Sequence, residues 1–221
     1  MKYKHIIWDY NGTLLNDVDL CVEIMNKMLK LRNLPLISIE KYKQIFDFPV
    51  KDYYQRAGIN FKLESFDIVG LEFIKDYDLR TNELQLHEGS IDFLNLIFET
   101  GISQSILSAR NQKQLSDEIN RFKIEKLFSA ISGLNDNYAS GKNSNGQKLI
   151  SNIKIPKNQI ILIGDTIHDF EIAESNGIDC IIITHGHQSE EVLKEKINFK
   201  NSKNSVNLVS NFMELKAFLK K

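Results

Sequence analysis

The chain has 221 residues, 42% of them hydrophobic, with 28 basic and 29 acidic side chains and a formal net charge of -1. That length suits one or two domains with a sizeable core. The balanced charge provides no global field for nucleic acid or an anionic membrane, and no run of about 18 apolar residues offers a membrane span.

The first expected element is a strand over Ile6-Ile7-Trp8, ending on Asp9 and followed by Tyr10-Asn11-Gly12-Thr13-Leu14-Leu15-Asn16. An apolar run that ends on an acid, with a glycine shortly after to turn the chain, presents a carboxylate at the mouth of a buried strand. From about Asp17 to His87 the pattern is helical. Val18, Cys21, Val22, Met25, Met28 and Leu29 share one face, and Ile39, Tyr42, Ile45 and Phe46 a second. Tyr53, Tyr54 and Ala57 form a third face, and Phe66, Val69, Leu71, Phe73 and Ile74 a fourth, with no strand-like run between them.

Beyond residue 87, short β-branched runs alternate with helical spacing. The strands expected are Ser105-Ile106-Leu107, Ala130-Ile131-Ser132, Ile160 to Ile163 and Cys180 to Thr184. The helical faces are Phe93, Leu94, Leu96 and Ile97; Leu115, Ile119 and Phe122; and Ile172 with Ala173, closed by Asn176-Gly177. Gly101, Gly164 and Gly177 fall where turns belong. Continuous apolar strands alternating with helices predict an α/β fold, a parallel sheet covered on both faces. An all-helical segment, 17–87, separates the first strand, in 1–16, from the rest, in 88–221. Asn198 to Asn207 reads as a surface loop, and Val209 to Leu219 as an amphipathic helix. Cys21 and Cys180 lack metal-ligand spacing and read as core residues of a reducing, cytoplasmic setting. The apolar part of the N-terminus is too short for a secretory signal.

Ligands of open parallel sheets bind beyond the C-terminal strand ends, and here those ends are polar. They carry Asp9; Ser108 with Ala109 and Arg110; and Asp165, in Gly164-Asp165-Thr166-Ile167-His168-Asp169. Ser140-Gly141-Lys142 lies between the strands expected at Ala130-Ile131-Ser132 and at Ile160 to Ile163. Taken singly, each has an ordinary explanation: Asp9 in a turn, Asp165 as a helix N-cap, Ser108 as a loop hydroxyl, Lys142 as a solvated charge. Together, in this order, they suit phosphoryl transfer. A carboxylate can attack phosphorus, and paired carboxylates suit a hard cation such as Mg²⁺. A hydroxyl and an ammonium can hold the phosphate oxygens.

With these residues in view, the chain resembles the haloacid dehalogenase-like hydrolase superfamily. The first motif of that family, Asp-x-Asp-Gly-Thr-Leu, corresponds to Asp9-Tyr10-Asn11-Gly12-Thr13-Leu14, and its fourth, Gly-Asp-(Ser/Thr)-x-x-Asp, to Gly164 through Asp169. Ser108 matches the second motif. Lys142 matches the third, with Lys148 as a rival because the usual Lys-Pro-x-Pro context is missing. The resemblance implies a Rossmann-like core with the helical segment as a cap, similar to the phosphoglycolate phosphatase branch. It also implies Mg²⁺ and hydrolysis of a small phosphorylated metabolite through an aspartyl phosphate. Asp9 would be nucleophile and metal ligand, and the Asn11 backbone carbonyl, Asp165 and Asp169 further ligands. Ser108, Ala109 and Lys142 would bind the phosphate.

Asn11 departs from the family pattern, which has an aspartate there to protonate the leaving alkoxide and later activate water. An amide does neither, and the loss of general acid–base help costs about 10² to 10⁴ in rate. The expectation is a slow phosphatase, one favouring activated esters, or one recruiting another acid, with His168 ahead of His185 and His187. One rival is a phosphonoacetaldehyde hydrolase-like enzyme, a branch that also lacks the second aspartate and forms a Schiff base with a cap lysine, here Lys51. The other is a protein that binds a phosphorylated ligand without turning it over. Tyr53, Tyr54, Arg56 and Lys51 are candidates to face the site from the helical segment.

Overall fold

The structure is a computed structural model and describes residues 2–135, 141–199 and 206–219. Strand β1 (His5–Trp8) is buried along its whole length, because neighbours flank both edges and helices cover both faces. It pairs in parallel with β4 (Ser103–Asn111) on one side and β6 (Ile160–Gly164) on the other. Parallel pairing continues from β4 to β5 (Ala130–Leu134), and from β6 to β7 (Asp179–Ile183) and β8 (Val206–Val209). The order is β5-β4-β1-β6-β7-β8. Strand order reverses at β1, so the crevice at its C-terminal end is the switch point where open sheets bind ligands.

Alternation along the strands divides the core. Ile6, Trp8, Ile106, Ile161 and Ile163 point to one face, covered by α5 (Ser90–Glu99), α6 (Gln112–Arg121) and α10 (Phe212–Leu219). Ile7, Leu107, Leu162 and Ile182 point to the other, under α7 (Lys142–Asn152), α8 (Ile167–Asn176) and α9 (Glu190–Phe199). Each fully buried isoleucine or leucine contributes about 1.5–3 kcal/mol, which explains why β6 reads as an unbroken apolar run.

After β1 the chain passes through β2 (Leu15–Asn16), whose antiparallel partner is β3 (Gln85–Leu86). Between them lie α1 (Val18–Leu31), α2 (Ile39–Ile45), α3 (Val50–Arg56) and α4 (Phe66–Arg80). Arg32, just past α1, ties this segment together by ion pairs to Glu64 and Glu72.

The structure differs from the sequence expectation at several places. The two-residue strand β3 falls inside the stretch expected to be wholly helical, since two residues carry no periodicity. Val206 and Asn207 begin an edge strand instead of ending a loop, and Asn198 belongs to α9; residues 200–205 of that tract lie outside the described residues. Leu71 is 54% exposed, and the core side of α4 is Val69 and Tyr77. Gly164 ends β6 and is not in a turn: a Cβ there would collide with the Asp169 carboxylate.

Candidate active site

Asp9 follows β1, Asp165 follows β6, and Ser108 lies in β4, so the parallel register brings three strand ends to one crevice. Lys142 opens α7 and is buried, as is Asp169 in the first turn of α8. The Lys142 Nζ donates to Asp9 Oδ1 at 2.6 Å and to Asp169 Oδ1 at 2.7 Å. Lys148 is exposed on the same helix. Gly141 precedes α7, whereas Ser140 lies outside the described residues.

Asp165 does not cap α8; Thr166 does, and Asp169 accepts from the Thr166 N–H (3.1 Å) and hydroxyl (2.8 Å). The Asp165 carboxylate is thereby left to the site, accepting from Thr13 Oγ1 (3.1 Å) and the His187 N–H (2.7 Å). Gly12 makes this approach feasible. Its φ of +73° suits a residue without Cβ, and a Cβ would strike both Asp165 and His187.

Oxygen atoms of Asp9, Asp165 and Asp169 lie within 4.8 Å of one another. Three buried carboxylates against one ammonium leave an excess of negative charge, and the donors are hard oxygens; this set fits a divalent cation such as Mg²⁺. Burial pushes Asp9 well above the usual carboxylate range despite Lys142, and raises Asp165 as well. Burial also opposes ionisation of Asp169, but there Lys142 prevails and holds the group below its usual value.

Asn11 does not point into a void. Its Nδ2 donates to Asp17 Oδ2 and to the Tyr77 hydroxyl, both at 2.9 Å, and its Oδ1 lies 3.5 Å from Ser108 Oγ. Ser108 Oγ also accepts from the Arg110 N–H at 3.0 Å, and Ala109 beside it lines a cavity that Asp9, Asn11 and Lys142 also line. Asp17 precedes α1 yet makes no side-chain cap to it. Instead it accepts from the Gly12 N–H (2.8 Å) and the Tyr77 hydroxyl (2.8 Å), and pairs with His187 Nε2 (3.2 Å). Burial works against its charge, but His187, Asn11 and Tyr77 outweigh it and bring Asp17 down to about 2. His187, equally disfavoured by burial, is carried up to about 9 by Asp17 and Asp165. The other nitrogen of His187 meets the Tyr42 hydroxyl at 2.8 Å, and the ring stacks on Phe46.

The structure places the three histidines differently. His187 lines the cavity, whereas His168 packs on Phe48 beside Glu171, and His185 stacks on His87. Asp17 and Tyr77 were not foreseen. An acid six residues after Asn11 reads as an ordinary helix cap, and nothing local marks Tyr77, which arrives from α4. Tyr53 and Tyr54 are buried and line the cavity. Arg56 is exposed and paired with Asp47, and Lys51 is exposed with its ammonium 5.6 Å from the Phe61 ring centroid.

The family profile of "Haloacid dehalogenase-like hydrolase" matches residues 6–183. A phosphoglycolate phosphatase of Pseudomonas fluorescens is 23% identical over 203 residues, covering 86% of this chain and 73% of that protein. Among solved structures, a haloacid dehalogenase-like hydrolase, SP0104, from Streptococcus pneumoniae superposes with a TM-score of 0.79 at 19% identity, covering 99% of each chain. Protein Tyrosine Kinase A of Mycobacterium tuberculosis does so with a TM-score of 0.80 at 20% identity, again covering 99% of each. With the profile spanning both acidic strand ends and the intervening lysine, the chain belongs to the haloacid dehalogenase-like hydrolase family.

Proposed function

We propose that this chain, a phosphatase of its family, hydrolyses phosphate monoesters through an aspartyl phosphate on Asp9. The observation that carries this reading is Lys142, buried and bridging Asp9 and Asp169 with Asp165 alongside. Asp9, Asp165, Asp169 and the Asn11 backbone carbonyl would hold Mg²⁺, which when bound offsets phosphate charge and fixes the phosphoryl group before the nucleophile. Asp9 attacks phosphorus in line with the leaving oxygen. Ser108, Ala109 and Lys142 orient the non-bridging oxygens, and Lys142 also steadies the charge that develops on them. The segment 17–87 acts as a cap that excludes bulk water and shapes the substrate, a small phosphorylated metabolite. Lys51 does not line the cavity, so a Schiff base there has no support in the geometry.

A second reading, binding without turnover, draws on Asn11, whose amide is committed to Asp17 and Tyr77. The two part on one experiment: Mg²⁺-dependent phosphate release from p-nitrophenyl phosphate. Asp9→Asn is expected to lower kcat by at least about 10³, the scale of losing a nucleophile that acts with its partners. Equal residual rates in parent and Asp9→Asn would leave only the binding reading.

A further inference from the structure

A cavity of about 400 Å³ runs from Asp9 and Lys142 into the helical segment. Its far walls are aromatic: Phe46, Phe48, Tyr53, Tyr54, Phe66 and Phe73 all line it. Three basic side chains reach it among the described residues, and each already has acidic partners. Arg110 pairs with Glu118 and Asp78, His187 with Asp17, and Lys142 with Asp9 and Asp169. Lys142 lies at the phosphoryl end, so no uncommitted cation remains for a carboxylate at the far end of a substrate. A substrate such as a phosphorylated hydroxy acid would bury that charge against rings, which is costly. An apolar ring would instead fill the space favourably.

A further observation narrows the class. At the phosphoryl end, Asn11 cannot protonate a leaving oxygen, and both ring nitrogens of His187 are engaged. A phenoxide, whose conjugate acid has a pKa of about 10 as in tyrosine, departs without that help far more readily than an alkoxide does.

We infer that the site takes aryl phosphates, esters whose leaving group is a phenol-type ring seated among these aromatic side chains. This rests on the phosphomonoesterase reading above. The bond from phosphorus to the aryl oxygen breaks with its electron pair going to that oxygen, while an Asp9 oxygen bonds to phosphorus. The phenoxide takes a proton from solvent. Water then attacks phosphorus and releases the Asp9 carboxylate, so that one ester and one water give one phenol and one inorganic phosphate.

The test compares kcat/KM for 1-naphthyl phosphate, benzyl phosphate, phosphoglycolate and acetyl phosphate. The last is small and polar but has a good leaving group. The naphthyl ester is expected to exceed phosphoglycolate by at least about 10², and benzyl phosphate, apolar but with an alkoxide leaving group, by a similar factor. Leu71→Asp, at a half-exposed position of the cavity wall, is expected to lower the naphthyl-to-acetyl ratio about tenfold. Phosphoglycolate used as well as the naphthyl ester would overturn the inference. If no ester is hydrolysed, the phosphatase reading fails, and calorimetric binding decides this one. Naphthyl phosphate bound at least about tenfold more tightly than phosphoglycolate sustains aryl recognition; equal affinities end it.

Discussion

Asn11 and Asp17 are best understood as a pair. The amide of Asn11 supplies the donor that a buried carboxylate at 17 needs, and an aspartate at 11 would instead set two carboxylates against each other, with His187 the cation paired with Asp17. Asn11→Asp alone is therefore expected to destabilise the protein by about 1–3 kcal/mol. The loss should grow as pH rises above about 4, where the unfolded side chain ionises freely but the folded one, its pKa raised, does not. Adding Asp17→Asn moves the acid to position 11 with an amide facing it. Urea titrations should show the double variant more stable than the sum of the single effects by about 0.5–3 kcal/mol. Strict additivity would mean that the two side chains do not act on each other. The substitution at 11 was legible in the sequence as a departure; its compensation was not, because Asp17 has a ready local explanation and Tyr77 is remote.

At the scale of elements, legibility followed burial on both faces. Central strands such as β6 announce themselves as continuous apolar runs, whereas the edge strand β8, Val-Asn-Leu-Val beside Asn- and Ser-rich sequence, does not. The ordinary explanation for Asp165, a helix N-cap, fails because Thr166 caps α8, and the difference matters because it frees that carboxylate for the site. Thr166→Ala removes the hydroxyl that donates to Asp169 and the favoured N-cap residue. It is expected to cost about 1 kcal/mol, a fall in Tm of about 2–4 °C for a chain of this size, with Thr166→Ser recovering most of it. An unchanged melting curve would place the capping of α8 elsewhere, for instance on Gln188, whose Oε1 accepts from the Ile167 N–H.

Across the whole molecule, the motifs identified the acidic strand ends, but the cavity between core and helical segment could not be read from them. Its rings come from three helices and the turns beside them, and only the closed arrangement joins them. Contacts such as Arg110 to Asp78, Gln188 to the Phe46 carbonyl and Lys43 to the His185 carbonyl hold the two parts together over the site. The site carboxylates are buried, and a cation bound among them would tie global stability to its concentration. Asp9 and Asp165 have folded-state pKa values raised above the unfolded ones. Without a divalent ion, stability is therefore greatest below about pH 4 for these groups and is lost as pH rises through the folded values. Mg²⁺ needs the ionised carboxylates, so its stabilisation grows over the same range. At a hundredfold excess over Kd it reaches about 2.7 kcal/mol, or about 5–10 °C in Tm for a chain this long. Thermal melts in EDTA and in saturating Mg²⁺ should thus nearly coincide at about pH 4 and separate progressively towards about pH 8. Asp165→Asn is expected to raise the EDTA curve at the upper end while narrowing the gap, since it removes both the repulsion and a ligand. A gap independent of pH, or one untouched by that substitution, would mean that these carboxylates are not where the cation binds.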